Sequence, residues 1–529
     1  MTREKQPGRF RTAFETFFHQ LAVLVRLVKP RGFWLPRSRY WRDVVVSLAL
    51  GCVVALALRS APETGWLATK QDQAMDWMLR MHSGVSPAEY RGVPFVFVDL
   101  DEATYRAWGE PFHIPRNKLS ELLEFSVEGG AALVLVDVDL SRRSGPQDRP
   151  LVELLERFVS EPERTRSDGT QILLTRTFRE PYPRGASPWL EERRSFLDRL
   201  VAAAPNVHWV STLFIRESDL KIRRFRNFEP TCNGAEANVV PAMQILATAL
   251  ILDPAQGTQK LHAAMQAYLP DCEQANEGGT RTGDEVPDQY LQLGDVEIAL
   301  MGDRVSRRIL YNVGWRLGEG EPRGLTVPFR GREARLLTHL PAHLVTESDR
   351  PLDPSLAQDR IVVIGASYAD SRDVHLTPLG EMPGAMILTN AIDSLLQHGG
   401  LKPPSTGLIL TAQFLLIAVV SLAFAALPFS WAAVLGTPLV ILVLLPVSFW
   451  LFRHGVWLDL AIPLLAVQVQ AAGKKYWEYS RFRARLNTLE RQSSQKEGAD
   501  PPCEPDSREG EVESEAEADQ AGCAAGSGR

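Results

Sequence analysis

Residues Phe95–Arg116 read FVFVDLDEATYRAWGEPFHIPR. The opening run is β-branched and aromatic with no polar interruption before Asp99, the pattern of a strand buried on both faces. It ends in Asp99, Asp101 and Glu102, and Pro111, Pro115 and Arg116 follow. Downstream come a helical pattern, KLSELLEFSVEG, and a second apolar run, AALVLVDVDL, which ends in Asp137 and Asp139. Strand, helix and strand joined by short connections make a right-handed βαβ unit with parallel strands. The fold class expected is therefore α/β.

Further strands are expected in QILLTRTF from Gln171, NVHWVSTLFI from Asn206, RRILYNV from Arg307 and RIVVIGAS from Arg360. Helices are expected over Ser187–Ala203, where Ser187 and Pro188 suit the cap and first turn, and over Pro241–Ile251 and Gly384–Gln397. The polar, Gly-rich segment Gln256–Asp288 reads as a loop.

Ligands of open α/β sheets lie beyond the carboxyl ends of the strands. Asp99, Asp101, Asp137 and Asp139 all end strands, so they should converge on one edge, with Asp99, Asp101 and Asp137 in one cleft. Such convergence either coordinates a cation or raises carboxyl pKa values. The plainer alternative is that each acid caps the next helix or pairs with Arg116, Arg142 or Arg143.

Two catalytic readings fail on spacing. A phosphatase of the Asp-x-Asp-x-Thr/Val kind needs Thr or Val two residues after the second acid, and here that position is Ala103. The GASYA stretch around Ser367 has Ala369 where a nucleophile elbow has its last glycine. A hydrolase using Ser367 or the Asp99 and Asp101 pair is the least favoured function.

The 529-residue chain is 45% hydrophobic and 23% charged, but its long apolar runs are segregated into two places. One is 44–59. The other divides into 407–427, 431–452 and 456–472, each long enough to cross a bilayer core. Basic residues precede the first run and follow the last, which puts both termini in the cytoplasm and 60–406 outside it. The tail 1–43 carries an amphipathic pattern, 473–496 a basic helix, and 497–529 an acidic composition without apolar periodicity, read as disordered.

Of five cysteines, only Cys232 and Cys272 fall in the exported region, and in an oxidising compartment they are available for a disulfide. No cysteine and histidine grouping has zinc-ligand spacing, whether the acidic edge takes a metal stays open, and no cofactor or nucleic-acid partner is expected.

The whole arrangement resembles the second type of CHASE domain, the cyclase/histidine-kinase-associated sensory extracellular domain. The resemblance rests on Asp99, Asp101, Gly109, Pro111, Pro115 and Arg116, then on Gly365, Asp373, Thr377, Pro378, Pro383, Gly384 and Asn390, in a layout of one anchor, a sensor and three spans. Phe112 and Ile114 stand where the family has tryptophans. It implies an α/β extracytoplasmic sensor between one N-terminal and three C-terminal transmembrane helices, in a bacterial inner membrane. Its ligand-binding residues would be Asp99, Asp101, Arg116, Asp137, Asp139 and Asp373.

Relatives of this layout usually end in a cyclase or kinase output domain, and none of those signatures fits the short tail here. The chain is thus expected to be a non-enzymatic receptor. It would respond to an extracytoplasmic ligand or envelope protein and act on a separate cytoplasmic signalling protein or on a second copy of itself. An envelope scaffold that passes no signal is the alternative.

Overall fold

The computed structural model describes residues 65–84, 90–160, 169–182, 187–273, 288–315, 325–347 and 352–401, with shorter pieces within 44–53, 407–418, 446–455 and 476–490. The tails 1–43 and 497–529 and most of the four apolar runs lie outside these residues. Among the described residues no helix is long and apolar enough to cross a membrane. The chain divides into two compact units, Met1–Gln468 and Val469–Arg529.

The first unit is organised by one sheet of six strands: β1 (Phe95–Leu100), β2 (Leu133–Val136), β3 (Gln171–Thr175), β4 (Val207–Val210), β5 (Leu337–Pro341) and β6 (Ile361–Ala366). Their spatial order is β5-β1-β6-β2-β3-β4, and every neighbouring pair is parallel. The expected pair β1 and β2 is parallel, but β6, from the far end of the domain, separates them.

Among the described residues the sheet is accompanied by the helices α1 (Trp66–His82), α2 (Glu102–Ala107), α3 (Arg116–Glu128), α4 (Asp148–Ser160), α5 (Asp198–Ala203), α6 (Met243–Leu252), α7 (Gly257–Met265), α8 (Ala342–Thr346) and α9 (Gly384–His398). Because strand side chains alternate, Phe95 and Phe97 enter a core with α6, α7 and α9, whereas Val96, Val98 and Leu100 enter another with α3 and α4. Covering both faces is what makes the strands read as unbroken apolar runs.

Three expectations need correction. Ser187–Ala203 is helical only in α5. Glu191–Glu192 instead pairs with Phe178–Arg179, and Arg176 bridges Glu192 and Asp198, which holds the segment extended before the helix begins. The run from Arg307 is no strand: it meets the neighbouring segment only through the isolated bridge between Arg224 and Arg308, and beyond it the Leu310 N–H goes to Ser394 Oγ and the Val313 N–H to Asn390 Oδ1, side chains of α9 that take the place of a strand partner. Gln256–Asp288 is not simply a loop, for α7 opens it and buries Leu261 and Met265, while 274–287 lie outside the described residues.

Gly257 explains how α7 can start so close to α6. A Cβ there would sit 2.3 Å from the Ala249 carbonyl oxygen, so no larger residue fits. Cys232 and Cys272 are joined by a disulfide that fastens this added segment to the hairpin Phe228–Asn233 and Glu236–Pro241.

Candidate functional site

The sheet register assembles the site. Asp99 on β1 lies beside Gly365 on β6, and the residue after Val136 on β2, which is Asp137, lies on the other side of Gly365. Asp137 donates its backbone N–H to the Ile364 carbonyl at 2.9 Å. All three positions have the parity of Phe97, Val363 and Leu135, so they point to the α9 side of the sheet. Two strand spacings separate the two acids, about 10 Å between their Cα atoms.

Gly365 leaves the middle of this row bare, and α9 uses the space. A Cβ at Gly365 would come 2.5 Å from the Cβ of Ala385, in the first turn of α9. The neighbouring Gly384 lies against a third acid: a Cβ there would be 2.6 Å from both carboxylate oxygens of Asp373. The positive end of the α9 dipole therefore sits over an acidic row.

Each acid has its own surroundings. Asp99 is 1% exposed; its Oδ2 accepts from Ser367 Oγ at 2.8 Å and meets His339 Nε2 at 2.8 Å, while its Oδ1 has no partner. Burial raises its pKa, and the bonds from His339 and Ser367 offset part of the rise. Asp137 accepts from Thr175 Oγ1 at 3.3 Å. Burial first, and then the charge of Asp373, push its carboxyl up to about 7.

Asp373 Oδ1 is 3.0 Å from His375 Nε2, and His375 Nδ1 is 3.2 Å from Arg216 Nη2. A guanidinium only donates, so Nδ1 accepts and Nε2 carries the proton given to Asp373.

The other expected residues do not join the row. Asp101 caps α2, its Oδ1 accepting from the Thr104 N–H at 2.8 Å, with His343 Nδ1 3.9 Å away. Arg116 is buried at the start of α3 and donates from Nη2 to the Asp139 carbonyl at 2.5 Å, while its Nε and Nη1 have no partner. Asp139 accepts from Ser141 N at 2.8 Å and Thr177 Oγ1 at 2.9 Å. Burial would raise Asp139, but these bonds hold it below the ordinary carboxylate value. Arg116 and Asp139 thus meet each other and stand apart from Asp99, Asp137 and Asp373. Among the described residues no group of His, Cys, Asp or Glu is placed to hold a metal ion.

Sequence reasoning missed His339 and His375 on the row, and it missed a second polar centre altogether. On α1, Asp72 and Asp76 are one turn apart and buried. Asp72 pairs with Arg224, Arg304 and Arg308, and Asp76 with Arg223, Arg308 and Lys221. Burial would raise Asp76, but the Arg223 bonds and the charges of Arg308, Arg223 and Lys221 hold it low. The visible signal was Asp-x-x-x-Asp on a helix together with the basic clusters KIRRFR and RVSRR.

Beside this network, Met75, Met78 and Leu79 of α1 pack with Leu401 and Phe452. A Cβ at Gly455 would lie 3.0 Å from the ring of His398, the last residue of α9. The described residues beside 453–454 are therefore seated on the base of the domain, at α1 and the end of α9.

The fold and site define an α/β module, covered on both sheet faces, whose polar groups gather at the carboxyl edge. Residues 48–427 of the 529 match the family model of the CHASE2 domain, and the chain belongs to that family of sensory domains. Neither the curated proteins nor the solved structures give a match.

Proposed function

We propose that this chain is a non-enzymatic sensor of a bacterial inner membrane, in which the acidic row receives an extracytoplasmic signal and the helices at the base pass it inward to a separate cytoplasmic protein. The observation that carries the reading is the course of α9. Its first turn lies on Gly365 and Asp373, and its last residue lies against Gly455, between the expected third and fourth spans. Fifteen residues of α-helix make a rod about 21 Å long between those points. A ligand that binds the row better in one placement of α9 than in another shifts the population of those placements, and the far end moves with the near one.

The Cys232–Cys272 bond supports an exported location, since such bonds persist in oxidising compartments. A sensor rather than an acyl-transfer enzyme is favoured because Ser367 and His339 both direct their hydrogen bonds to Asp99 Oδ2, so the serine hydroxyl is paired with the carboxylate and not with the imidazole that would activate it in a serine–histidine pair.

The test is thiol labelling of the full chain in intact spheroplasts with a membrane-impermeant maleimide. Tyr182→Cys, at a position 95% exposed, should label at once, and Ala484→Cys only after the membrane is breached. Labelling of position 484 from outside, or protection of position 182, defeats the reading.

A further inference from the structure

In the second unit, residues 476, 479–480 and 482–490 are helical. Tyr476, Tyr479, Phe482, Leu486 and Leu489 form a stripe along this helix, each between 43% and 63% exposed. From Tyr479 the steps are three, four and three residues, the spacing of successive a, d, a and d positions in a heptad.

The residues flanking the stripe say what covers it. With Tyr479 and Leu486 at a, Arg485 takes a g position and Arg483 and Glu490 take e positions. In a parallel pair in register, each g residue faces the e residue of the next heptad in the other helix. Arg485 of one copy then faces Glu490 of the other. The sequence repeats the match one heptad earlier, where Glu478 at g faces Arg483 at e. Both acids of this basic segment fall where a self-pair needs them, whereas an anionic lipid surface would be repelled by both.

We propose that this helix forms a parallel two-stranded coiled coil with a second copy of the chain. The inference goes beyond the sensor reading and rests on it for direction alone. In sequence the described helical residues follow the last apolar run by a few positions, so two copies rooted in one bilayer run the same way. Two heptads are too short to persist as an isolated pair. The membrane-held remainder of the chain supplies the effective concentration that completes the association.

The experiment uses the full chain in native membranes, with Cys52, Cys503 and Cys523 replaced by serine and the Cys232–Cys272 pair kept. Single cysteines are placed at Leu486 and Leu489 on the seam and at Ala484 on the opposite face, and disulfide cross-linking is followed over time. Leu486→Cys and Leu489→Cys should each cross-link about fivefold or more faster than Ala484→Cys.

In the Leu486→Cys background, Arg485→Glu alone or Glu490→Arg alone should slow cross-linking about threefold, and the two together on one chain should restore it. Equal rates on the two faces overturn the proposal. So does cross-linking at only one seam position, the signature of an antiparallel pair, or rates indifferent to the charge reversals. A stripe that is instead protected by anionic vesicles belongs to lipid and also overturns it. None of these results alters the labelling pattern that tests the sensor reading, so the two failures are distinguishable.

Discussion

Gly365→Ala tests whether the acidic row is built by the close approach of α9 to β6. The added methyl would sit 2.5 Å from the Ala385 Cβ, where ordinary contact begins at 3.4 Å, so the helix end must retreat by about 0.9 Å. Neither partner can swing aside, because both Cβ atoms are fixed to backbone in a buried strand and a buried helix turn. Overpacking of this kind costs about 1–3 kcal/mol. For a domain of this size that is a fall of roughly 2–10 °C in melting temperature, read by thermal unfolding of the detergent-solubilised chain.

The double variant Gly365→Ala/Ala385→Gly moves the methyl from one side of the contact to the other and should recover most of the loss. About 1 kcal/mol or less would remain for a glycine in the helix. A single variant as stable as the parent, or a double variant no better than the single, would refute the packing argument.

Asp137 has a carboxyl pKa of about 7 in the folded chain against an ordinary 3.8, so between those values the folded state holds more protons than the unfolded one. Stability then falls as pH rises from about 4 to 7, by an order of 4 kcal/mol for this group. Asp137→Asn should flatten that part of a stability–pH curve, and an unchanged slope would sink the assignment. Asp76→Ala leaves the fully buried Arg308 without one of its two carboxylates and should cost about 3–5 kcal/mol in urea denaturation, where a loss under 1 kcal/mol would contradict the network. Cys232→Ser opens a crosslink spanning 40 residues and should destabilise by up to about 4 kcal/mol on chain entropy, with the parent protein losing the same amount in reductant.

The strands were legible because burial on both faces imposes a run that few other structures share. PFVFVDL, AALVLVDVDL and RIVVIGAS each became a central strand where their β-branched residues lie. Strand order was not legible, since nothing in the run Ile361–Ala366 says that it enters between β1 and β2. That insertion decides the site. It places a glycine between Asp99 and Asp137, and it carries Ser367 to the Asp99 carboxylate. Asp101, two residues from Asp99, looked equivalent in sequence and is turned to cap α2.

The α1 network was hidden for a different reason. Its basic residues come from two segments separated in sequence by the cystine-linked insert, and long-range ion pairs leave no periodic trace.

The two polar centres differ in what their chemistry can do. Around Asp72 and Asp76 each carboxylate faces guanidinium groups, and Glu217 and Asp219 add their charges at Arg223, so removing water leaves each with a partner. Such a cluster adds no stability over apolar residues of similar volume, but it fixes one register of α1 against its neighbours. The row at Asp99, Asp137 and Asp373 is unmatched. Burial and like charge hold two of its carboxyls above their ordinary values, and one buried oxygen has no partner. A cationic or hydrogen-bond-donating group placed there would meet the polar group that the protein alone leaves unpartnered. The helix α9 begins at the row and ends against Gly455, so one element spans from the unsatisfied end of the domain to the described residues beside 453–454.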